Sequence, residues 1–288
     1  ITSCLANALG VELIAAEAAR PTEHPDALDC ILRGRAVLLK PRTRDAYKEA
    51  IDLFECALAL DPESVEAQSR LAAILVTSVL DRTADSAVAD IARAEGLIDQ
   101  ALATSPRYAY AHFVKGQVLR AQNGREEAVL EYETALALDH NFVYALHSLA
   151  WYKLRAGSIE EVIPLVEQAI RLSPRDPAVG YFYRLIGTVH LLQSHIDEAI
   201  VWFEKARSAT RVLPFPRSGL AAAYALKGET ERAAAELAET RRLDGGDLFS
   251  SIARLKAYPG GWWGVPKIRA LWEATYFAGL RKAGMPEE

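Results

Sequence analysis

Cysteine is scarce, with three in 288 residues: Cys4, Cys30 and Cys56, widely spaced and odd in number. That pattern fits neither a disulfide framework nor a zinc cluster, and it points to a reducing compartment and a cytoplasmic location. Long apolar runs are missing too, since no window approaches the roughly 20 apolar residues of a membrane span. No basic segment followed by an apolar core and a cleavage site opens the chain. Positive charge is not in excess: the formal net charge is −5 and the pI about 5.8, which argues against a general nucleic-acid or anionic-membrane surface.

The motifs of catalysis are equally absent. The six histidines (His24, His112, His140, His147, His190, His195) contain no HExxH arrangement. His190 and His195 straddle a turn, which disfavours a shared metal. Neither GxxxxGK[ST] nor GxGxxG occurs, and GGWWG has glycines without a strand-turn-helix setting. Runs such as REEA and DEAI put carboxylates on faces that solvent usually covers. The chain is expected to be non-enzymatic and to need no cofactor or metal.

What is present is periodicity. Residues 109–142 read as two short helices joined at Asn123-Gly124, with Gly116 eighth, Ala128 twentieth, Tyr132 twenty-fourth and Ala135 twenty-seventh. Residues 143–176 repeat those offsets with Ala150, Val162, Val166 and Ala169. This is the tetratricopeptide pattern, a helical hairpin every 34 residues, in which small residues let helices approach and the residue at twenty-four fills the gap. Four further blocks follow the register: 27–64 with Gly34 and Phe54, 65–108 with Ala72 and Ile98, 180–213 with Gly187 and Phe203, and 214–247 with Ala221 and Leu237. The first carries four extra residues in its turn, and the second about ten around LDRTADSAVAD, which lengthen its helices or its turn. The fold class expected is all-α, a right-handed solenoid of about six hairpins with capping helices at both ends.

Outside the repeats, residues 1–20 have helical apolar spacing and 21–26 form a proline-containing connector. The non-methionine start suggests a piece of a longer polypeptide. Beyond Asp247 the register fails: a short helix precedes YPGGWWGVP, and a last helix covers about Pro266 to Ala283. Residues 248–288 are read as capping helices. The sharper alternative folds this tail back into the groove as an intramolecular occupant.

In tetratricopeptide arrays the first helix of each hairpin lines an inner surface, with offsets two, five, nine and twelve pointing inward. Offset two holds Leu28, Glu66, Tyr110, Tyr144, Tyr181 and Phe215, so four successive aromatics form a ladder. Offset five adds Phe113, His147 and Arg184, offset nine Gln117 and Trp151, and offset twelve Arg120. These ten residues from Tyr110 onward are the candidate groove. Exposed rings bury large area at small entropic cost, and the arginines suit a carboxylate or phosphate. The lysines and asparagines of chaperone-tail clamps are lacking, so the lining favours an extended or helical apolar peptide, from another protein or from the parent chain.

Several phrases are more specific: ELIAAEAARPTEHPDALDCILRG, LLQSHIDEAIVWFEKARSA, YALKGETERAAAELAE and IRALWEATYFAGLRKAGMPEE. Together they resemble the C-terminal repeat region of rhizobial-type class III adenylate/guanylate cyclases, over essentially the whole chain. The resemblance implies a bacterial parent with a catalytic domain and a TolB-like segment upstream, the latter ending in residues 1–20, and a role in cyclic-AMP signalling. It carries no catalytic residue into this stretch. Similar arrays also follow winged-helix DNA-binding domains. The favoured expectation is a regulatory protein- or peptide-binding module; the others are a structural dimerisation element and a small-metabolite sensor at Tyr144, Trp151, Tyr181 and Arg184.

Overall fold

A computed structural model describes residues 26–288 apart from 40–42, 82, 211–212, 246 and 259–262, together with 13, 14, 16 and 18. The expected amino-terminal helix and its connector lie almost wholly outside the described residues. Among the described residues there is no strand. The chain divides into two compact units, Ile1–Ala145 and Leu146–Glu288.

The first unit contains α1 (Ala27–Val37), α2 (Arg44–Leu60), α3 (Val65–Leu80), α4 (Ala87–Thr104), α5 (Ala109–Ala121) and α6 (Arg125–Leu138). These pair as hairpins α1/α2, α3/α4 and α5/α6, and α3 also packs on α5. Helix starts are set by side chains that satisfy orphan amides. Asp26 and Asp29 form a reciprocal capping box on α1, and Thr43 and Ser64 cap α2 and α3. The insertion in the second repeat goes into both places: α3 and α4 run 16 and 18 residues. Its turn is tied to α2 by Arg44–Asp85 and Tyr47–Asp81 contacts.

The second unit takes up α7 (Val143–Ala156) after its first turn, then α8 (Val162–Leu172), α9 (Val179–Leu192), α10 (Ile196–Ala209), α11 (Pro214–Lys227) and α12 (Thr230–Asp244). A 3-10 turn over Ile159–Glu161 precedes α8, whose third residue is Pro164, a position where no intrahelical amide is needed. Short α13 (Ile252–Lys256) follows, and then one helical run made of α14 (Pro266–Trp272), a π turn (Glu273–Phe277) and α15 (Ala278–Lys282).

Two repeated devices make the hairpins. The fifteenth residue of the last four repeats has positive φ: Asn123 at 66°, Gly157 at 103°, Ser194 at 63° and Gly228 at 91°. The next amide then reaches back to the eleventh carbonyl, as in Gly124 to Leu119 at 2.8 Å and Glu229 to Tyr224 at 2.9 Å. The second device is size matching between offsets eight and twenty-four. A Cβ on Gly34 would lie 2.7 Å from the Phe54 ring, on Gly116 2.5 Å from Tyr132, and on Gly187 2.9 Å from Phe203. Where offset eight is alanine, twenty-four is aliphatic: Ala72 with Ile98, Ala150 with Val166, Ala221 with Leu237, all buried. The interior is close-packed by exchanging volume between the two helices.

One expectation is corrected. Cys30 on α1 and Cys56 on α2 are disulfide-bonded, with Cα atoms 6.2 Å apart. The antiparallel hairpin brings together two positions 26 residues apart, a closeness invisible in linear spacing. The cysteines therefore give no argument for a reducing compartment.

Candidate functional site

The candidate groove residues fall into two clusters, one in each unit. In the first unit, Tyr110, Phe113 and Tyr144 join Tyr108 and Phe142 in a continuous set of rings. Phe113 and Phe142 meet edge-on at 5.0 Å, Tyr110 and Phe142 lie 6.1 Å apart, and Phe113 and Tyr144 6.4 Å. None of these five is fully buried, and Tyr144 is 38% exposed. Leu28 on α1 is 58% exposed. Gln117 and Arg120 hydrogen-bond each other at 3.3 Å on the same helix as Phe113.

Beneath the rings lies a charge cluster. The Arg70 guanidinium stacks on Tyr110 at 4.1 Å, and Glu66 accepts from Arg35 at 3.2 Å and from Arg70 at 3.4 Å. Burial and the neighbouring Arg70 weaken the Arg35 hold on its proton. Burial opposes charge on Arg70 as well, but Tyr110 and Glu66 outweigh it and hold that guanidinium protonated. Burial, then Glu66, raises the Tyr108 phenol above its ordinary range. Two cations thus share one carboxylate next to a half-open aromatic surface.

In the second unit, Arg184 stacks on Trp151 at 4.7 Å and reaches the Phe215 ring at 5.5 Å; Arg155 approaches Trp151 from α7 at 5.1 Å. His147 packs on Phe182 at 5.1 Å, and Tyr181 is half-buried on α9. Phe215 meets Phe249 at 5.2 Å and Tyr258 at 6.4 Å, both from beyond α12.

Arg35 occupies offset nine of its repeat, outside the candidate groove, and offset counting passes over Arg70, Tyr108, Phe142 and Arg155. The signal for two of them is an alternation: Tyr108-Ala-Tyr110 and Phe142-Val-Tyr144 place a ring just before each offset-two ring.

His112 uses Nδ1 on Glu131 at 2.6 Å and Nε2 on the Pro106 carbonyl at 2.9 Å, which fixes the α5–α6 contact and leaves no nitrogen for a substrate. His190 and His195 have ring centroids 5.9 Å apart, and burial together with His195 lowers the His190 pKa. Among the described residues no group of three or more His, Cys, Asp or Glu could hold a metal ion, and no helix is long and apolar enough to cross a membrane.

Residues 83–141 match the family model described as tetratricopeptide repeat. Over 121 residues, 39% of this chain and 70% of the relative, the sequence is 25% identical to photosystem I assembly protein Ycf3 of Prochlorococcus marinus. Among solved structures, the APC/C hetero-tetramer Cut9–Hcn1 gives a TM-score of 0.65 at 15% identity, over 86% of this chain and 45% of that one. The human IFIT1 dimer with PPP-AAAA gives 0.62 at 17%, over 96% of this chain and 64% of that one. Pseudomonas aeruginosa PilF gives 0.54 at 19%, over 77% and 93%. The chain spans less than two thirds of the length of the first two of these structures. The likeness establishes the fold: an all-α, tetratricopeptide-type solenoid of helical hairpins.

Proposed function

We propose that the chain is a protein- or peptide-binding module and that the ring-lined face of the first unit is its docking surface. The observation that carries this reading is the continuous set Tyr108, Tyr110, Phe113, Phe142 and Tyr144, in tilted and T-shaped ring contact yet not sealed. Rings held rigid by one another bind with little further loss of entropy. Arg35 and Arg70 beside them carry one more positive charge than Glu66 offsets, so the peptide that fits has apolar side chains and an acidic group. The photosystem I relative is named an assembly protein, and assembly needs a surface of this kind.

The finer role follows the resemblance of the phrases quoted above: a regulatory region of a bacterial nucleotide cyclase, acting in the cytoplasm in cyclic-AMP signalling by docking a partner or another segment of the parent. The cytoplasmic placement rests on that parent and not on the cysteines. The residues encoded upstream of Ile1 in the intact gene product test it: a cyclase catalytic domain agrees, and a winged-helix domain refutes it.

Docking is tested with a photo-crosslinking residue at position 144 and, as control, at position 201 on the exposed face of α10. A partner crosslinked through 144 and not 201 supports the reading. Equal yields at both sites contradict it.

A further inference from the structure

The face of the second unit built by the first helices of its hairpins already has an occupant, the chain's own carboxy-terminal segment. At α7 the Val265 amide donates to the Arg155 carbonyl at 2.8 Å. Gly264, at φ +100°, comes so close that a Cβ on it would lie 2.7 Å from that same oxygen. At α11 the Tyr276 phenol and the buried Ser218 hydroxyl form a 2.7 Å hydrogen bond. One turn further, a Cβ on Gly279 would sit 2.5 Å from the Ala222 carbonyl oxygen. The π turn also touches α9.

Two features separate this contact from plain shielding of an apolar end. The first is placement. The first helices α5 and α11 each pack against both helices of the preceding hairpin, whereas α15 packs chiefly on α11, itself a first helix. The second is register. Shielding needs apolar area, and area alone does not fix position along a helix. Here the amide-to-carbonyl bond, the phenol-to-hydroxyl bond and the missing side chain at Gly279 lock one register. The segment is also largely self-supporting: Trp263, Trp272, Tyr276 and Phe277 stack among themselves at 4.9–6.3 Å. Arg281 pairs with Glu273 at 2.6 Å.

We infer that the face formed by α7, α9 and α11 is a helix-binding site, filled in cis by residues 263–288, and that it recognises a helix presenting a tyrosine and, three residues on, a glycine. The external partner is a helix with that same aromatic, glycine-notched face. While the tail is seated, this face is closed to it.

The test keeps all 288 residues. A protease site placed at Gly260-Gly261 is cut after folding, and excess fluorescein-labelled peptide of residues 263–288 is added before gel filtration. The labelled peptide is expected to replace the severed tail and co-elute with the body. A Gly279→Leu peptide should bind at least about tenfold more weakly, since its side chain has no room, and a Tyr276→Phe peptide about five- to tenfold more weakly. In the uncut chain, Gly279→Leu should open the site to the native peptide, which the unaltered chain refuses. The inference fails if the tail never exchanges, if the body loses its helical circular dichroism once the tail leaves, or if the Gly279→Leu peptide competes as well as the native one.

Discussion

A Cβ added to Gly116 on α5 would sit 2.5 Å from Cε1 of Tyr132 on α6, a ring that is fully buried. The two residues form one unit of packing, and the same unit recurs as Gly34 with Phe54 and Gly187 with Phe203. Gly116→Ala gains helix propensity worth about 1 kcal/mol, yet overpacking costs about 1–3 kcal/mol, so net destabilisation is expected. Adding Tyr132→Leu should recover part of the loss, because it recreates the Ala221 with Leu237 pairing of the last repeat. Urea unfolding of the four chains measures the coupling, and additive losses would contradict it.

The fifteenth position of each repeat gives a prediction of the opposite sign. Ser194 holds φ 63°, a conformation costing an L-residue about 1 kcal/mol that glycine avoids. Ser194→Gly should therefore stabilise the second unit by about 0.5–1 kcal/mol, seen as a raised thermal midpoint. The same change at Ser158, one residue past the turn position, should lower it or leave it unchanged.

How far the fold could be read without coordinates follows from these two devices. Both depend on residue size and chirality at fixed spacing, so Gly116, Tyr132 and Gly228 announce them directly. The Cys30–Cys56 bond could not be read, because it depends on which faces of α1 and α2 meet across a turn of inserted length. The candidate rings Tyr110, Tyr144, Tyr181 and Phe215 were legible as a shared offset two. What spacing could not tell was that Phe215 meets Phe249 and Tyr258 from beyond the repeats. Those partners belong to a stretch with no register to count.

The disulfide makes the first hairpin sensitive to reductant. Closing a loop between residues 26 apart is worth about 3.5 kcal/mol in the chain-entropy account. Dithiothreitol should lower the stability of the first unit by up to about that amount, and Cys56→Ser should remove the sensitivity. Free-thiol titration under denaturing conditions checks the premise: one reactive thiol is expected before reduction and three after.

Alkaline pH should loosen the tail. Burial pushes the Tyr276 phenol well above its ordinary value near 10, with the Ser218 hydrogen bond and Arg184 pulling more weakly the other way. The folded state therefore keeps a proton that the unfolded state gives up. This contribution is intact below about pH 10 and is lost as pH rises beyond it. Tyr276→Phe should cost about 1 kcal/mol at neutral pH through the lost Ser218 bond, while flattening the decline above pH 10. Urea midpoints from pH 8 to 11 should converge for the two chains, and parallel curves would refute the assignment. Tyr224, also raised by burial and Glu204, supplies a background decline common to both.

The most direct measurement is the affinity of the purified crosslinked partner, or the peptide mapped from it, for the unaltered chain and for Tyr110→Ala/Tyr144→Ala, by fluorescence titration at fixed salt. Loss of two ring anchors predicts binding weaker by about tenfold to a hundredfold, with unchanged helical content. Equal affinity in the altered chain would contradict docking on the rings of the first unit.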